Sequence, residues 1–420
     1  MKKPLPAHLL LLCFFGQSLF LTGCIKDEVK TTLRYTIYTP SYKTVKELRE
    51  NMATLASRDV AYPGKIYIKG AYLFVGERNR GIHIIDNSNP AAPKNTGFLE
   101  IPYNADMAVK NQTLYADMGG DLLSLDITDP KNAKLKTVTE KVFQFFLWKT
   151  EDDKVVVDWS KRDTVVHSKS EARSKNGDVW YPYFNEQAGP SGPAGASGPP
   201  AVYGTGGSMA RFAATKERLF TVGQNNMGVF NITNDFNPAF VTRKDLGWGI
   251  ETIFPFGDHL FVGTISGVKV FSLTDPDNPG EIGSFGHVRR CDPVVTDGKH
   301  MFVTLRGGGS CGGNASELQI LTATSLTAPQ LIKSYTLDNP FGLAVDGNTL
   351  LICDGNSGLK VYDIANVNAI KLLQEIKGVV PYDVIASNGL AVVSAADGIY
   401  QYNYKNPASL KLLSSIKLKK

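Results

Sequence analysis

The sequence predicts an all-β fold: a β-propeller of seven four-stranded blades, with a short N-terminal lead-in and one long insertion. Three observations predict it. A phrase reading G-I-H-I-I-D at Gly81 returns, loosened, at Asp121, Gly228, Gly267, Glu317, Gly358 and Gly398, at intervals of 40, 107, 39, 50, 41 and 40 residues. A period between about 20 and 50 residues marks a repeat architecture. Around each copy stand short runs of alternating apolar and polar residues, separated by turn formers, which is how half-buried strands are written. The composition agrees, since 40 Gly and 22 Pro in 420 residues that are 43% hydrophobic suit many strands joined by tight turns around a large core. A four-stranded unit cannot bury both faces alone, and seven such units are satisfied by packing radially into a closed ring.

Residues 1–23 read as a lipoprotein signal peptide. Lys2 and Lys3 form a basic start, and residues 9–20 form an apolar run too short to span a bilayer. Leu21-Thr22-Gly23-Cys24 then resembles the lipobox of bacterial lipoproteins, which implies lipidation of Cys24 and a mature chain that begins there. Ile25-Lys26-Asp27-Glu28 is similar to the export tag of Bacteroidota surface lipoproteins, so the expected address is the outer membrane, lipid-anchored and facing outward. Acyl chains contribute about 0.8 kcal/mol per buried CH₂, and two or three hold a protein on a membrane durably. Without Lys2 and Lys3 the 45 basic residues become 43 against 40 acidic ones, a near balance that gives no grounds for nucleic-acid binding.

Residues 24–60 are expected to be a lipidated tether and lead-in. The stretch 25–34 is polar, 35–38 is strand-like, and Thr44 with Glu47 has the spacing of a capping box ahead of a helix carrying Val45, Leu48, Met52 and Leu55 on one face. The propeller occupies 61–420. Its first repeat shows the grammar best, with strands at 65–69, 72–76, 81–86 and 96–101. A polar turn ending in Pro follows most third strands, and Asx turns with the fixed φ of Pro account for it. The 107-residue interval places an insertion at about 141–207. Its first half is strand-like and reads as an extended hairpin or a degenerate eighth blade; its second half holds four collagen-like triplets at 189–200, too few for a triple helix and read as a surface loop.

This grammar, closest over Gly64-Lys65-Ile66-Tyr67-Ile68-Lys69-Gly70 and on to Asp86-Asn87-Ser88-Asn89-Pro90, resembles the LVIVD-repeat family of propeller lipoproteins of Bacteroidota. The resemblance implies an anchored propeller of largely unassigned function. The fifth repeat departs from the pattern, with Ala323 to Leu326 where other repeats have Asp or Asn, and the sixth lacks the turn Pro.

Chemistry is sparse. The Gly-rich run Arg306 to Gly313 formally matches nucleophile-elbow and dinucleotide patterns, but both require a strand leading into a helix, and here strands flank it on both sides. Six scattered His residues make no pair at ligand spacing, so no metal, cofactor or catalytic set is assigned. His83, inside a strand, reads as packed or solvated.

One constellation remains. Asp106, Glu251, Asp292 and Asp383 stand at or just before first strands and would gather near one channel mouth, favouring a cation or a basic group, with strand capping as the alternative. Cys291 and Cys311 flank a predicted hairpin and are expected to form a disulfide that carries Arg306 towards that mouth. The expected function is an envelope binding module for a protein, glycan or small ligand; the alternatives are a hydrolase or lyase at the mouth, and an assembly partner that uses the insertion.

Overall fold

The computed structural model describes residues 30–143, 150, 152–169, 205–208, 210–286, 293–308 and 316–418. Cys24, Cys291, Asp292 and Cys311 lie outside them, so the anchor and the disulfide do too. The chain divides into two compact units, Met1–Pro40 with Trp159–Tyr183, and Ser41–Asp158 with Phe184–Lys420.

The larger unit is a seven-bladed propeller of antiparallel four-stranded sheets. Blade one comprises Pro63–Lys69, Tyr72–Glu77, Gly81–Asp86 and Lys94–Glu100. The other blades span residues 107–139, 212–245, 250–286, 294–336, 343–376 and 381–417. In each blade the first strand is innermost. Consecutive first strands touch one another around the channel, and Pro381–Ser387 of blade seven touches Pro63–Lys69 of blade one, which closes the ring. The second strands supply the driest layer, as with Leu73, Phe74 and Val75, which are fully buried.

The recurrent phrase now has a physical cause. Its opening Gly takes a positive φ of 142° at Gly81, 147° at Gly267 and 152° at Gly398. A Cβ there would lie 1.9, 2.1 and 2.3 Å from a fourth-strand carbonyl oxygen, of Leu99, Phe285 and Ile416, so no larger residue fits. Its closing Asp or Asn begins an Asx turn: the Oδ1 of Asp86, Asp126, Asn231, Asp363 and Asn403 each accepts the N–H two residues on.

The turns do more than reverse the chain. A side chain on the fourth strand of one blade donates to a carbonyl in the turn of the next blade, as in Thr139 to Pro238 (3.4 Å), Lys244 to Pro279 (2.7 Å), Tyr335 to Val367 (2.9 Å) and Ser414 to Pro90 (2.6 Å). Between blades six and seven the roles reverse, and Gln374 accepts from Leu410 N at 2.6 Å. The fifth repeat, which lacks the polar turn, replaces the latch by close approach. Gly283 of blade four packs so tightly on it that a Cβ would fall 2.0 Å from Leu326 O.

No strand is exchanged between the first and last blades. The seam is held by an apolar cluster of Ile66, Leu73, Val75 and Ile85 against Ile385, Val392 and Ile399. Beside it, Asn87 and Gln401 form a reciprocal amide pair at 2.9 and 2.7 Å, with both residues buried.

The lead-in helix Val45–Glu50 carries the expected capping box, and Val45, Leu48 and Met52 are buried. Leu55 departs from that face. It is 44% exposed and belongs to a two-residue strand, Thr54–Leu55, which extends the outer edge of blade one. Thr54 Oγ1 donates to Pro130 O at 2.9 Å, making for blades one and two the latch that fourth strands make elsewhere. Gly97 leaves room for it, since a Cβ there would meet Thr54 Cγ2 at 2.2 Å.

Two features differ from the sequence reading. The strand expected at 35–38 runs over Lys30–Thr44, inside the stretch read as tether, and pairs with Lys154–Lys169 in a two-stranded sheet. Residues 154–169 of the insertion therefore form a ribbon with the N-terminal segment, and the described residues contain no eighth blade. Each long strand satisfies on its partner the backbone groups it could not pair alone. Within the smaller unit, Thr36 Oγ1 donates to Asp163 Oδ1 at 2.6 Å and Ser160 Oγ to Thr39 O at 3.3 Å.

The second difference is the end of the insertion. Thr205–Gly206 adds to the inner edge of blade one, with Thr205 opposite Ile68 and Gly206 opposite Tyr67, so this strand lies in the central channel. Running antiparallel to Pro63–Lys69, it climbs towards the end where first strands begin. Gly207 passes against the Asp383 carboxylate of blade seven, and Ser208 Oγ accepts Leu343 N of blade six at 2.8 Å. Gly206, Gly207 and Ser208 are buried, and this short run plugs the channel.

Candidate functional site

First-strand register fixes the geometry of the mouth. Ile66, Met107, Phe212, Ile253, Val294, Leu343 and Val384 all pair with the fourth residue of their blade's second strand. The residues one step before them form a ring at one level: Lys65, Asp106, Arg211, Thr252, Pro293, Gly342 and Asp383. Two of the four acids read from the sequence belong to this ring, and Glu251 and Asp292 precede it by one residue. Asp106, Glu251 and Asp383 therefore stand at the same mouth; Asp292 is outside the described residues.

A second ring of neighbours runs round that mouth with a member from every blade. Arg78 lies near Tyr382, whose ring is 5.3 Å from that of Phe341. The guanidinium of Arg306 lies 4.1 Å from the Phe341 centroid, within cation–π range, and is attracted to Glu251. Arg211 Nε donates to Glu251 O at 3.4 Å, and its backbone N–H bonds Asp106 Oδ2. Lys65 Nζ, 3.4 Å from Asp106, returns the circuit to blade one.

The acids of the inner ring are turned inward. Asp106, 2% exposed, accepts the N–H groups of Met107 (2.7 Å), Arg211 and Phe212 (3.1 Å). Asp383, fully buried, accepts Val384 N at 3.0 Å and faces Gly207 and Gly342, where a Cβ would come within 2.2 and 2.4 Å of its oxygens. Solvent instead meets Arg78, which is exposed, and Arg211, Glu251, Arg306, Phe341 and Tyr382, which are half-buried. Burial pulls the Lys65 ammonium and the Arg78 and Arg306 guanidinium groups below their ordinary values, in spite of attraction from Asp106, Tyr382 and Glu251 respectively.

A further tier of acids, unread in the sequence, closes the second strands. Asp117 Oδ1 accepts Asn104 Nδ2 at 3.0 Å, Ala105 N at 2.9 Å and Asp106 N at 2.8 Å, shaping the loop into blade two. Burial, with Asp106 beside it, pushes the Asp117 carboxyl up to about 7 against the pull of those amides. Asp354 does the same for blade six, accepting Asp338 N at 3.0 Å, Asn339 N at 2.8 Å and Lys360 Nζ at 2.6 Å. Glu77, in blade one, takes Arg58 at 3.1 Å, Arg80 at 3.2 Å and His83 Nε2 at 2.7 Å. His83 is thus a packed core residue, with its ring edge-on to Phe98 at 4.8 Å.

Among the described residues the strand His300–Leu305 is next followed by the strand Glu317–Thr322, and residues 309–315 of the Gly-rich run lie outside them. Among the described residues no group of three or more His, Cys, Asp or Glu is placed to hold a metal ion. Nor, among them, is any helix long and apolar enough to cross a membrane. Cys353 is a free thiol, buried beneath the mouth.

The arrangement was partly visible beforehand. Arg78 and Arg306 each follow immediately after a six-residue second strand, Tyr72–Glu77 and His300–Leu305. Superposing repeats one and five would have paired them.

Solved structures reproduce the architecture at low identity. A protein from Lactobacillus plantarum is 14% identical with a TM-score of 0.55, over 85% of this chain and 96% of its own. A functionally unknown protein from Desulfotomaculum acetoxidans is 12% identical with a TM-score of 0.52, over 83% and 95%. The computationally designed Ika8 protein is 11% identical with a TM-score of 0.52, over 87% and 92%. These likenesses concern the fold alone. No curated protein matches the chain in sequence. The family model that matches is the LVIVD repeat, over residues 62–98, which is blade one of a β-propeller.

Proposed function

We propose that this chain is a lipid-anchored envelope binding module that takes its ligand, without covalent chemistry, into the cup above the plugged channel. The observation that carries the reading is the solvent-facing rim of the mouth, to which six blades contribute Arg78, Tyr382, Phe341, Arg306, Glu251 and Arg211. Convergent polar groups around an aromatic pair in a concavity are the usual make-up of a ligand site. Lipidation at Cys24 would tether this cup to the outer membrane, as the lipobox implies.

A thermal-shift screen of the purified chain against organic acids, amines, short peptides and oligosaccharides tests the cup. A ligand that raises the melting temperature of the native chain is expected to lose that effect in an Arg306→Gln, Glu251→Gln double variant. Equal shifts in both proteins would put the binding site elsewhere.

A further inference from the structure

The structure shortens the tether expected at 25–34. The strand Lys30–Thr44 begins inside it, so Cys24 stands six residues before the strand, and six residues of chain reach about 20 Å at most. The strand pairs with Lys154–Lys169 in a sheet of two, and among the described residues neither outer edge has a further strand beside it.

Within the smaller unit the ribbon has two unlike faces. Thr36 Oγ1 donates to Asp163 Oδ1, which puts those two side chains on one face. Alternation along the strands adds Arg34, Tyr38, Lys161 and Val165 to it, and all four are exposed. Asp163 is occupied by Thr36, whereas the charged heads of Arg34 and Lys161 make no hydrogen bond or ion pair with any described residue. The reverse face presents Tyr35 and Arg162 beside the small polar Thr39 and Ser160.

We infer that the ribbon lies flat on the membrane that holds the chain, with Tyr38 and Val165 among the lipid headgroups and Arg34 and Lys161 against the phosphates of anionic lipids. This rests on the reading of Cys24 as lipidated and adds a second contact to it. Three observations argue for a bilayer over a protein as the occupant. Tyrosine, apolar in its ring and polar at its tip, suits the boundary between hydrocarbon and water. Two free cations complement a surface of phosphates. A leash of six residues from an acylated Cys24 would keep the start of the ribbon within about 20 Å of that surface, so the contact forms at a high effective concentration. The open edges set the depth. Backbone groups without partners cannot enter hydrocarbon, so the ribbon stays at headgroup level, where water satisfies them.

The test is cosedimentation of the full chain carrying Cys24→Ala, which has no acyl group of its own, with vesicles at millimolar lipid and low salt. Vesicles of phosphatidylcholine alone are compared with equal parts of phosphatidylcholine and phosphatidylglycerol. Binding to the anionic vesicles is expected, weakening as salt is raised. A cation close to an anionic surface contributes about fivefold, so Arg34→Gln with Lys161→Gln should lower binding about twenty-five-fold. Arg162→Gln, on the reverse face, removes the same charge and should change it by no more than about twofold, because it lies about a Debye length further away. Tyr38→Ser should weaken binding and Tyr35→Ser should not. Melting temperatures should match the parent's throughout, since every substituted side chain is exposed.

No binding to the anionic vesicles, equal losses from the two faces, or binding that survives the front-face variants overturns the inference. Acylation is read separately, as the mass of the parent chain extracted from membranes. An unmodified Cys24 overturns the anchor whatever the vesicles show, and an acylated Cys24 without vesicle binding overturns the ribbon contact alone.

Discussion

The seam between blades one and seven should be the weakest point of the ring, and its polar half is the Asn87–Gln401 pair. Gln401→Leu removes both bonds, of 2.9 and 2.7 Å, and strands one donor and one acceptor on Asn87, which is 8% exposed. An unsatisfied buried polar group costs about 1–3 kcal/mol, so stranding two of them should cost about 2–6 kcal/mol. That is a large fraction of the roughly 5–15 kcal/mol by which a domain is stable. Converting Asn87 to Leu as well removes the stranded groups. The double variant should then lie above the sum of the single losses by more than about 1 kcal/mol, as expected for residues in direct contact. Guanidinium unfolding measures the totals, and native-state hydrogen exchange shows where the ring opens. In Gln401→Leu, amides of Gly81–Asp86 and Gly398–Asn403 should lose protection before those of blades three and four. A cost below about 1 kcal/mol, or additive single effects, would show that water replaces the pair and that the apolar cluster alone holds the seam.

Three further outcomes follow from the same geometry. Gly283→Ala sets a methyl 2.0 Å from Leu326 O and 2.8 Å from Thr327 Cα, both backbone, so blades four and five must part; it should cost at least the 1–3 kcal/mol typical of overpacking, whereas Gly280→Ala in the same strand meets nothing within 4 Å and should be nearly neutral in thermal unfolding. Asp117, raised by burial to about 7, gives stability that is full below its unfolded value near 3.9 and is lost as pH rises through about 7; the fall in unfolding free energy from pH 5 to 8 should be shallower in Asp117→Asn, and an identical slope would assign that fall to other groups. Gly207→Ala drives a methyl to 2.2 Å from Asp383 Oδ2, which is fully buried, so the plug should lift and limited proteolysis should cut near Thr205 faster than in the parent chain.

What the sequence disclosed and what it hid divide along a physical line. Blade number and strand order were legible because the phrase recurs seven times, marked in four copies by a Gly whose Cβ would strike a carbonyl and in five by an Asp or Asn that begins an Asx turn. The capping box at Thr44 and Glu47 was legible because its bonds span three residues. The latches were not, since Thr139 and Pro238 are 99 residues apart and nothing local distinguishes a Pro that ends a turn from one whose carbonyl is an acceptor. The acids of the mouth were found by position. The sealing of Asp383 was hidden because it depends on Gly207 and Gly342, residues that show nothing until Asp383 lies against them. Arg306 was singled out for the loop that follows it, and its partnership with Phe341 belongs to the next blade. The plug is three residues, Gly206 to Ser208, too short for any period to mark.

The position of the mouth bears on how the fold and its ligand interact. The seam that Asn87 and Gln401 close runs between blade one, which carries Arg78, and blade seven, which carries Tyr382. A ligand bound across Arg78 and Tyr382, as the binding-module proposal allows, would span that seam, so the ligated state is one in which the seam is shut. Binding and closure then share a free energy, and a ligand present at a hundred times its Kd stabilises the closed ring by about 2.7 kcal/mol. That is comparable with the cost assigned to losing the amide pair. A propeller that closes without exchanging a strand leaves its junction to side chains, and here the junction opens directly beneath the cup. Contacts that recognise a ligand there would therefore also hold the first blade to the last.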